Sequence, residues 1–326
     1  MRLIVLVNDA TALGATQTTT LLIGRAAARG HDTWVAGVDG VGLRPDDRVT
    51  LQARRAPALE GRALTEALRA QVPEALALGP GDALFIRTNP ARDARRAFAH
   101  DTALELARIA RDQGVAVMSD PEGLMRASSK LYLSVLPPRF RPHTLVSRDV
   151  DALRAFIADA PGDCVLKPLR GTHGRDVFVV RKDNPQNVRQ IIDVLTRGGF
   201  AMAQRFVPEA VQGDTRVLVL EGQLLRVGGR AAAVRRVPGG DDFRSNVSAG
   251  GRSARGAFRP VMQEIVDAIG PRLEADGVLL AGLDLIGDVV VEVNVYSPGG
   301  VADMGQHEGV DFAGPILDAV ERGWRR

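Results

Sequence analysis

The sequence predicts an α/β protein in two parts: a doubly wound parallel sheet over about the first 120 residues, then a module of paired strands and helices. Three observations carry this. Short aliphatic runs alternate with helical stretches from Arg2 to Asp120; beyond Pro121 the strands come in neighbouring pairs split by glycine turns; and 326 residues, 45% hydrophobic and 25% charged, give enough apolar material for two or three cored lobes.

The opening run RLIVLV reads as a strand ending at Asn8-Asp9, followed by a helix from about Thr18 to Arg29 that closes on Gly30. DTWVAGV is a second strand, and DALFIR and GVAVMSD are two more, separated by a helix through Ala91 to Asp112. Strands alternating with helices make a parallel sheet, and such sheets take ligands at their strand C-terminal ends. Those ends are polar here: Asn8-Asp9, Arg87 to Asn89, and Ser119-Asp120.

The pattern then changes to LMRASSKLYLSVL and the proline-rich PPRFRPHTLVSRD. A helix from Val150 to Ala160, paired strands DCVLKPL and RDVFVV, and a helix from Asn187 to Arg197 come next. AMAQRFV, DTRVLVLEG and QLLRVGG are strands, and an amphipathic helix carries Val261, Ile265, Ile269 and Leu273 at four-residue spacing. The hairpin LDLIGDVVVEVNV and a last helix near Val310 to Arg322 complete the order.

Composition excludes several classes. The N-terminus lacks the longer apolar core of a secretion signal, and no apolar run approaches the ~20 residues of a membrane span, so a cytoplasmic protein is expected. A single cysteine, Cys164 in CVLKP, rules out an internal disulfide and reads as a small core residue. Forty-two Lys and Arg against 39 Asp and Glu leave a net +3, and two tryptophans with two tyrosines offer little for stacking bases. Small anions suit scattered arginines better than nucleic acid does.

The hairpin raises the chemical question. Across a turn at Gly287-Asp288, Asp284 falls beside Glu292, and Glu292 and Asn294 share a face. Two carboxylates that close call for a cation between them, and an all-oxygen set suits Mg2+. The alternative is a solvated sheet edge. Further upstream, RGTHG (170 to 174) is a glycine-bearing hairpin whose backbone N–H groups could cover phosphates, with Lys167 on the preceding strand and Lys130 in SSKL as point charges. The loop RRVPGGDDFRSNVSAGG adds Arg236, Arg244 and Asn246, with Arg216 on GDTRV: donors for a phosphoryl group or a developing oxyanion, or else a solvated arginine loop.

Taken in order, DPEGLMRASSKL, PHTLVSRD, VLKPLRGTHGRDVF, AQRFVPEAVQGDTRVLVLEG, RRVPGGDDFRSNVSAGG, GPRLEADGVLLAGLDLIGD and EVNVYSPGG resemble the ATP-grasp superfamily and, within it, the bacterial glutathione synthetases. GDDFRSN is nearer the ribosomal-protein glutamate ligase branch, and in the N-terminal third Arg87 of IRTNP is the clearest point of likeness. The resemblance implies an N-terminal substrate-side domain (1–122), a central ATP-grasp lobe with a lid (123–200) and a C-terminal lobe with the metal site (201–326). It implies that Lys130 and Lys167 touch nucleotide phosphates, that Gly171, Thr172, His173 and Gly174 form the lid, and that Gln204, Arg205, Phe206 and Val207 line the adenine, with Asp214 near the ribose. Arg216, Arg236, Arg244 and Asn246 would hold an acyl phosphate, and Asp284, Glu292 and Asn294 would ligate two Mg2+, with Mn2+ as an alternative ion.

The implied activity is an ATP-dependent carboxylate–amine ligation through an acyl phosphate, joining γ-glutamylcysteine to glycine. Alternatives are the same chemistry on another peptide or specialised-metabolite acid, or a catalytically silent nucleotide binder. Small-molecule substrates, no nucleic-acid or membrane partner, and a homo-oligomer are expected. Replacing Asp284 or Glu292 by alanine is expected to remove turnover far more than folding.

Overall fold

The computed structural model describes residues 1–171, 176–239 and 252–324. Its first sheet holds β1 (Arg2–Val7), β2 (Asp32–Leu43), β3 (Val49–Arg55), β4 (Glu74–Ala77), β5 (Asp82–Ile86) and β6 (Ala116–Met118) in the order β4-β3-β2-β1-β5-β6. β1 runs parallel to β2 and β5, and β5 to β6, as the strand–helix alternation requires. The other edge departs from the all-parallel expectation, because β3 and β4 add on antiparallel. In β3 the buried Val49, Leu51 and Ala53 alternate with Thr50, Gln52 and Arg54. That period of two marks a half-covered strand, which its arginines and glutamine disguise.

Helices cover both faces. α1 (Thr18–Ala28) and α2 (Gly61–Ala70) pack with Leu3, Val5, Val35 and Phe85, while Ala103, Leu104 and Ala107 of α3 (Ala97–Asp112) cover Ile4, Leu6 and Trp34. α3 is shorter than the predicted helix from Ala91. Asn89 accepts a bond from the Ala91 N–H at 3.0 Å and Pro90 opens a 3-10 turn over Pro90–Arg92, so the chain turns twice before the α-helix begins.

After α4 (Pro121–Arg126) comes a four-stranded antiparallel sheet, β7-β10-β8-β9, built from β7 (Thr144–Ser147), β8 (Cys164–Pro168), β9 (Phe178–Val180) and β10 (Ala201–Arg205). Leu153 and Ile157 of α5 (Val150–Ala158) and Ile192 and Leu195 of α6 (Val188–Arg197) bury its back with Cys164 and Leu166. β7 lies in the proline-rich stretch that the sequence leaves without an element. It pairs with β10 all the same, giving the apolar side of Leu145 a sheet to lie on.

The third sheet runs β16-β15-β11-β17-β18. β11 (Asp214–Leu220) also pairs with β12 (Gln223–Leu224), and β13 (Arg226–Val227) with β14 (Arg230–Ala231) forms a small ribbon; β15 (Ala233–Val237), β16 (Arg252–Arg255), β17 (Leu280–Ile286) and β18 (Val289–Asn294) follow. Ile265, Val266, Ile269 and Leu273 of α7 (Pro260–Ala275) pack beneath Val217, Val219, Leu283 and Leu285. A helix absent from the sequence prediction, α8 (Val301–Glu308), starts after Gly299-Gly300, and α9 (Ala313–Trp324) completes the described chain. α8 escapes notice because eight residues between two glycines show barely two turns of periodicity. α9 returns to the first sheet, where Ile316, Leu317 and Val320 join the cluster of Ile23 and Met118.

The carboxylate of Asp276, just beyond α7, fixes α4 to the third sheet. It accepts from Tyr132 Oη at 2.9 Å, Arg126 at 2.7 Å and Arg272 at 2.7 Å, and these donors outweigh the effect of burial to hold its pKa below the usual aspartate value. Gly123 lies so close that a Cβ there would fall 1.6 Å from the Asp276 carbonyl oxygen. Gly123→Ala must push two backbones apart, and the expected loss is about 1–3 kcal/mol or somewhat more. A urea midpoint unchanged from wild type would show that the junction is not closely packed.

Candidate active site

The site grows from one face of the third sheet. Residues two apart on a strand share a face, so Asp214 and Arg216, Val234 and Arg236, Gly282 and Asp284, and Glu292 and Asn294 all point the same way. Register sets them in rows. Asp284 lies between Arg216 on β11 and Glu292 on β18, Asn294 opposite Gly282, and Asp214 opposite Arg236. Gly282 is the gap that lets Arg216 lie across the sheet: a Cβ there would come 3.6 Å from the Arg216 Nε and 3.1 Å from Pro298.

Asp284 is 3% exposed and surrounded by donors. Arg216 grips it with two bonds of 2.7 Å, Arg236 Nη2 stands 2.8 Å away, and Asn294 Nδ2 donates at 3.2 Å. Burial alone would raise this carboxyl's pKa, but the two guanidinium groups override it and hold the pKa well below the usual range. Arg236 also grips Asp214, at 2.6 and 2.7 Å. Burial opposes its charge, yet Asp284 and Asp214 prevail and raise its pKa. The cation that the paired acids call for is therefore present in the chain itself, as arginine at Asp284 and as Lys130, 3.6 Å away, at Glu292.

Above this face opens a cavity of about 270 Å³. Lys130, Gly171, Arg216, Arg236, Glu292 and Asn294 line it, so the structure unites these predicted site residues around one space. Ser129 caps the 3-10 turn over Lys130–Val135, and the Lys130 N–H donates to Leu169 at 3.0 Å, which joins that turn to the strand leading into RGTHG. Lys167 sits just behind the wall, its Nζ donating to the Val291 carbonyl at 3.3 Å. Burial first, and the nearby Lys130 second, push its pKa down to about 8.

Other predicted residues stand elsewhere. Gln204 is buried and donates to Thr144 Oγ1 at 2.9 Å, Arg205 is exposed, and the Phe206 N–H is taken by the Asp163 carbonyl at 2.9 Å; with the neighbouring Val207 they lie outside the cavity wall. Thr172, His173, Gly174, Arg244 and Asn246 fall outside the described residues. Arg87, the clearest N-terminal match, is buried and acts as a staple: it donates to the Pro298 carbonyl at 2.8 Å and to Thr19 at 3.3 Å, and burial followed by the repulsion of Arg92 takes its pKa down to about 9. Sequence reasoning missed Arg92, Tyr296 and Asp303 on the cavity wall, and held Arg170 only as the first residue of RGTHG. For Arg92 the available signal was the polar strand end RTNPAR, which a helix assigned from Ala91 concealed.

Magnesium asks for oxygen donors. Glu292 offers a carboxylate to the cavity, and Asn294 an amide whose nitrogen is engaged with Asp284, so these two fit a hard ion as they stand. Both oxygens of Asp284 are occupied by guanidinium hydrogens, and Asp284 fits only once those arginines turn to another anion. A cavity walled by lysine and arginine beside such oxygens can collect a polyanion and neutralise charge as it moves.

Comparisons with known proteins agree in direction. Residues 1–125 match the model of the prokaryotic glutathione synthetase N-terminal domain, and residues 129–309 match that of the prokaryotic glutathione synthetase ATP-grasp domain. The glutathione synthetase of Xanthomonas campestris pv. campestris is 36% identical over 314 residues, covering 95% of this chain and 94% of that protein. That of Shewanella oneidensis is 38% identical over 65% of each chain. Among solved structures, D-cycloserine synthetase DcsG gives a TM-score of 0.66 at 16% identity, covering 98% of this chain and 99% of that one. The ATP-grasp ligase PsnB complexed with minimal precursor gives 0.63 at 18%, covering 98% of each. At such identities the structures establish a shared fold.

The arginine cage changes one expectation. Asp284→Ala takes from the half-buried Arg216 its carboxylate partner and from the buried Arg236 one of two, so folding suffers as well as turnover, by roughly 3 kcal/mol at neutral pH. Because the folded pKa is depressed, Asp284 contributes stability above the ~3.9 of an unfolded aspartate, and the gap between wild type and variant closes as pH falls below it. Equal denaturation midpoints at pH 7 would contradict the cage. Glu292, whose side chain is 30% exposed, keeps the original expectation of lost turnover with folding spared.

Proposed function

The chain belongs to the prokaryotic glutathione synthetase family, and from that premise we propose that it joins the cysteinyl carboxylate of γ-glutamylcysteine to the amine of glycine. It is an ATP-dependent ligase of the ATP-grasp fold acting on small molecules, and it uses ATP and Mg2+. The observation that carries the reading is the gathering of Lys130, Arg216, Arg236, Glu292 and Asn294 around one cavity.

In the proposed reaction a carboxylate oxygen of the acid attacks the γ-phosphorus of ATP, the bond from that phosphorus to the bridging oxygen breaks, and ADP leaves. The amine nitrogen then attacks the acyl carbon, phosphate departs with the carbon–oxygen electron pair, and the new amide nitrogen loses its proton to solvent. No nucleophile of the protein is needed; placement and charge neutralisation suffice. Lys130 and Lys167 hold the nucleotide phosphates under Gly171 to Gly174, Gln204 to Val207 line the adenine, and Asp214 faces the ribose. Arg216 and Arg236, with Arg244 and Asn246, exchange carboxylate partners for the acyl phosphate, which frees oxygens of Asp284 to join Glu292 and Asn294. Bound there, Mg2+ supplies charge neutralisation at the phosphate oxygens. Two ions, with Mn2+ as substitute, belong to the proposal, as do the division at 122 and 200, a cytoplasmic location and a homo-oligomer. Among the described residues no helix is long and apolar enough to cross a membrane.

Retention of Lys130, Lys167, Asp284, Glu292 and Asn294 speaks against a silent binder. Incubation with MgATP, γ-glutamylcysteine and glycine should give glutathione with one ADP per amide, and EDTA should stop it. If other amino-acid-like acids stimulate ADP release while γ-glutamylcysteine does not, the substrate assignment is wrong. If no acid does, the ligase assignment goes with it.

A further inference from the structure

Among the described residues five cationic side chains line the cavity: Arg92, Lys130, Arg170, Arg216 and Arg236. Three have carboxylate partners already, Arg216 in Asp284, Arg236 in Asp214 and Asp284, and Lys130 in Glu292. Among the described residues Arg92 and Arg170 have none. Arg170 is exposed next to Gly171 on the lid side. Arg92 comes from the opposite wall, at the C-terminal end of β5, where an open α/β sheet takes its ligands.

The turn that carries Arg92 is a rigid mount. Asn8, at the end of β1, donates to the Asn89 carbonyl at 2.8 Å and accepts from the Asn89 N–H at 2.7 Å; Asn89 in turn caps the Ala91 N–H, and Pro90 fixes the first step of the turn. A guanidinium held on so fixed a base, facing a cavity, is placed for recognition. Arg92 is exposed at the cavity mouth, yet stands close enough to Arg216 to feel its charge: partial loss of solvent, then Arg216, lower its pKa from the ordinary arginine value. Two arginines share one cavity, and among the described residues Arg216 has a carboxylate partner while Arg92 has none, which leaves Arg92 short of an anion.

We propose that Arg92 binds a second, non-reacting carboxylate of the acid substrate, and so selects acids that carry two carboxylates, one presented to Arg216 for phosphorylation and the other to Arg92. The inference rests on the reading of this cavity as the site of acid activation. In γ-glutamylcysteine the second carboxylate is that of the glutamyl α-carbon. A planar guanidinium takes such a group with two parallel bonds, which a lysine cannot reproduce.

The test varies each substrate in turn while ADP release is followed, for wild type, Arg92→Ala and Arg92→Lys, with γ-glutamylcysteine and with its analogue in which the glutamyl α-carboxylate is an amide. Arg92→Ala should raise the KM for γ-glutamylcysteine roughly tenfold or more, a charge-assisted pair being lost, and Arg92→Lys should restore part of it. The KM values for ATP and glycine should stay within about twofold, and with the amide analogue wild type and Arg92→Ala should behave alike. The same KM penalty for acid and amide, or a penalty on glycine alone, overturns the assignment while the ligase reading stands. Wild type inactive with γ-glutamylcysteine overturns the parent reading, and the role of Arg92 falls with it. The thermal midpoint of Arg92→Ala should match wild type, since the side chain has no partner among the described residues.

Discussion

Everything at this site depends on a buried carboxylate, that of Asp284, and on the two guanidinium groups that keep it charged. An aspartate with 3% exposure would normally take up a proton or shed the burial. Arg216 and Arg236 prevent both, and each was placed by strand register: Arg216 directly across from Asp284, and Arg236 two strands away on β15, reaching over β11 and doubly bonded to Asp214. A slip of one residue in β11 or β17 would turn Arg216 or Asp284 toward α7 and the apolar layer beneath it. Sheet geometry and charge balance are thus a single constraint.

The second dependence is on the meeting of three sheets. Glu292 and Asn294 come from the third, Lys130 and Gly171 from the segment bordering the second, and Asn89 to Arg92 from the first. Each contributes a wall and none makes a cavity alone. Contacts beyond the cavity hold this arrangement, with α9 lying on the first sheet and Asp276 drawing Tyr132 and Arg126 to the end of α7, and at the wall itself Arg87 joins the β5 strand end to the Pro298 carbonyl. Arg87 shows how a residue at a strand end serves by position, fixing the backbone of the cavity wall.

Strong periodicity was legible in the sequence and weak periodicity was not. The aliphatic strands β1, β5 and β17 and the spaced apolar face of α7 needed no structure to find, and the turn at Gly287-Asp288 brings Asp284 near Glu292; the turn register alone would set Val291 opposite Asp284, and a bulge between Asp284 and Leu285 puts Glu292 there instead. β3 was hidden by polar residues on its open side, β4 and α8 by their length, and the 3-10 turn at Pro90 by an apparently continuous helix. Legibility in the site followed the same division. Oxygen ligands on one face can be counted by twos, but which cation neutralises which acid is a matter of long-range register, so the bond between Arg216 and Asp284, 68 residues apart, and the lone position of Arg92 appeared only in three dimensions.

If the cavity phosphorylates a carboxylate, one oxygen of that carboxylate must leave with the phosphate. The direct measurement uses γ-glutamylcysteine carrying ¹⁸O in both oxygens of its cysteinyl carboxylate, with MgATP and glycine, and mass analysis of the phosphate released. The acyl-phosphate account predicts one ¹⁸O in phosphate for each glutathione formed. Phosphate without ¹⁸O, or AMP and pyrophosphate in place of ADP, would contradict it.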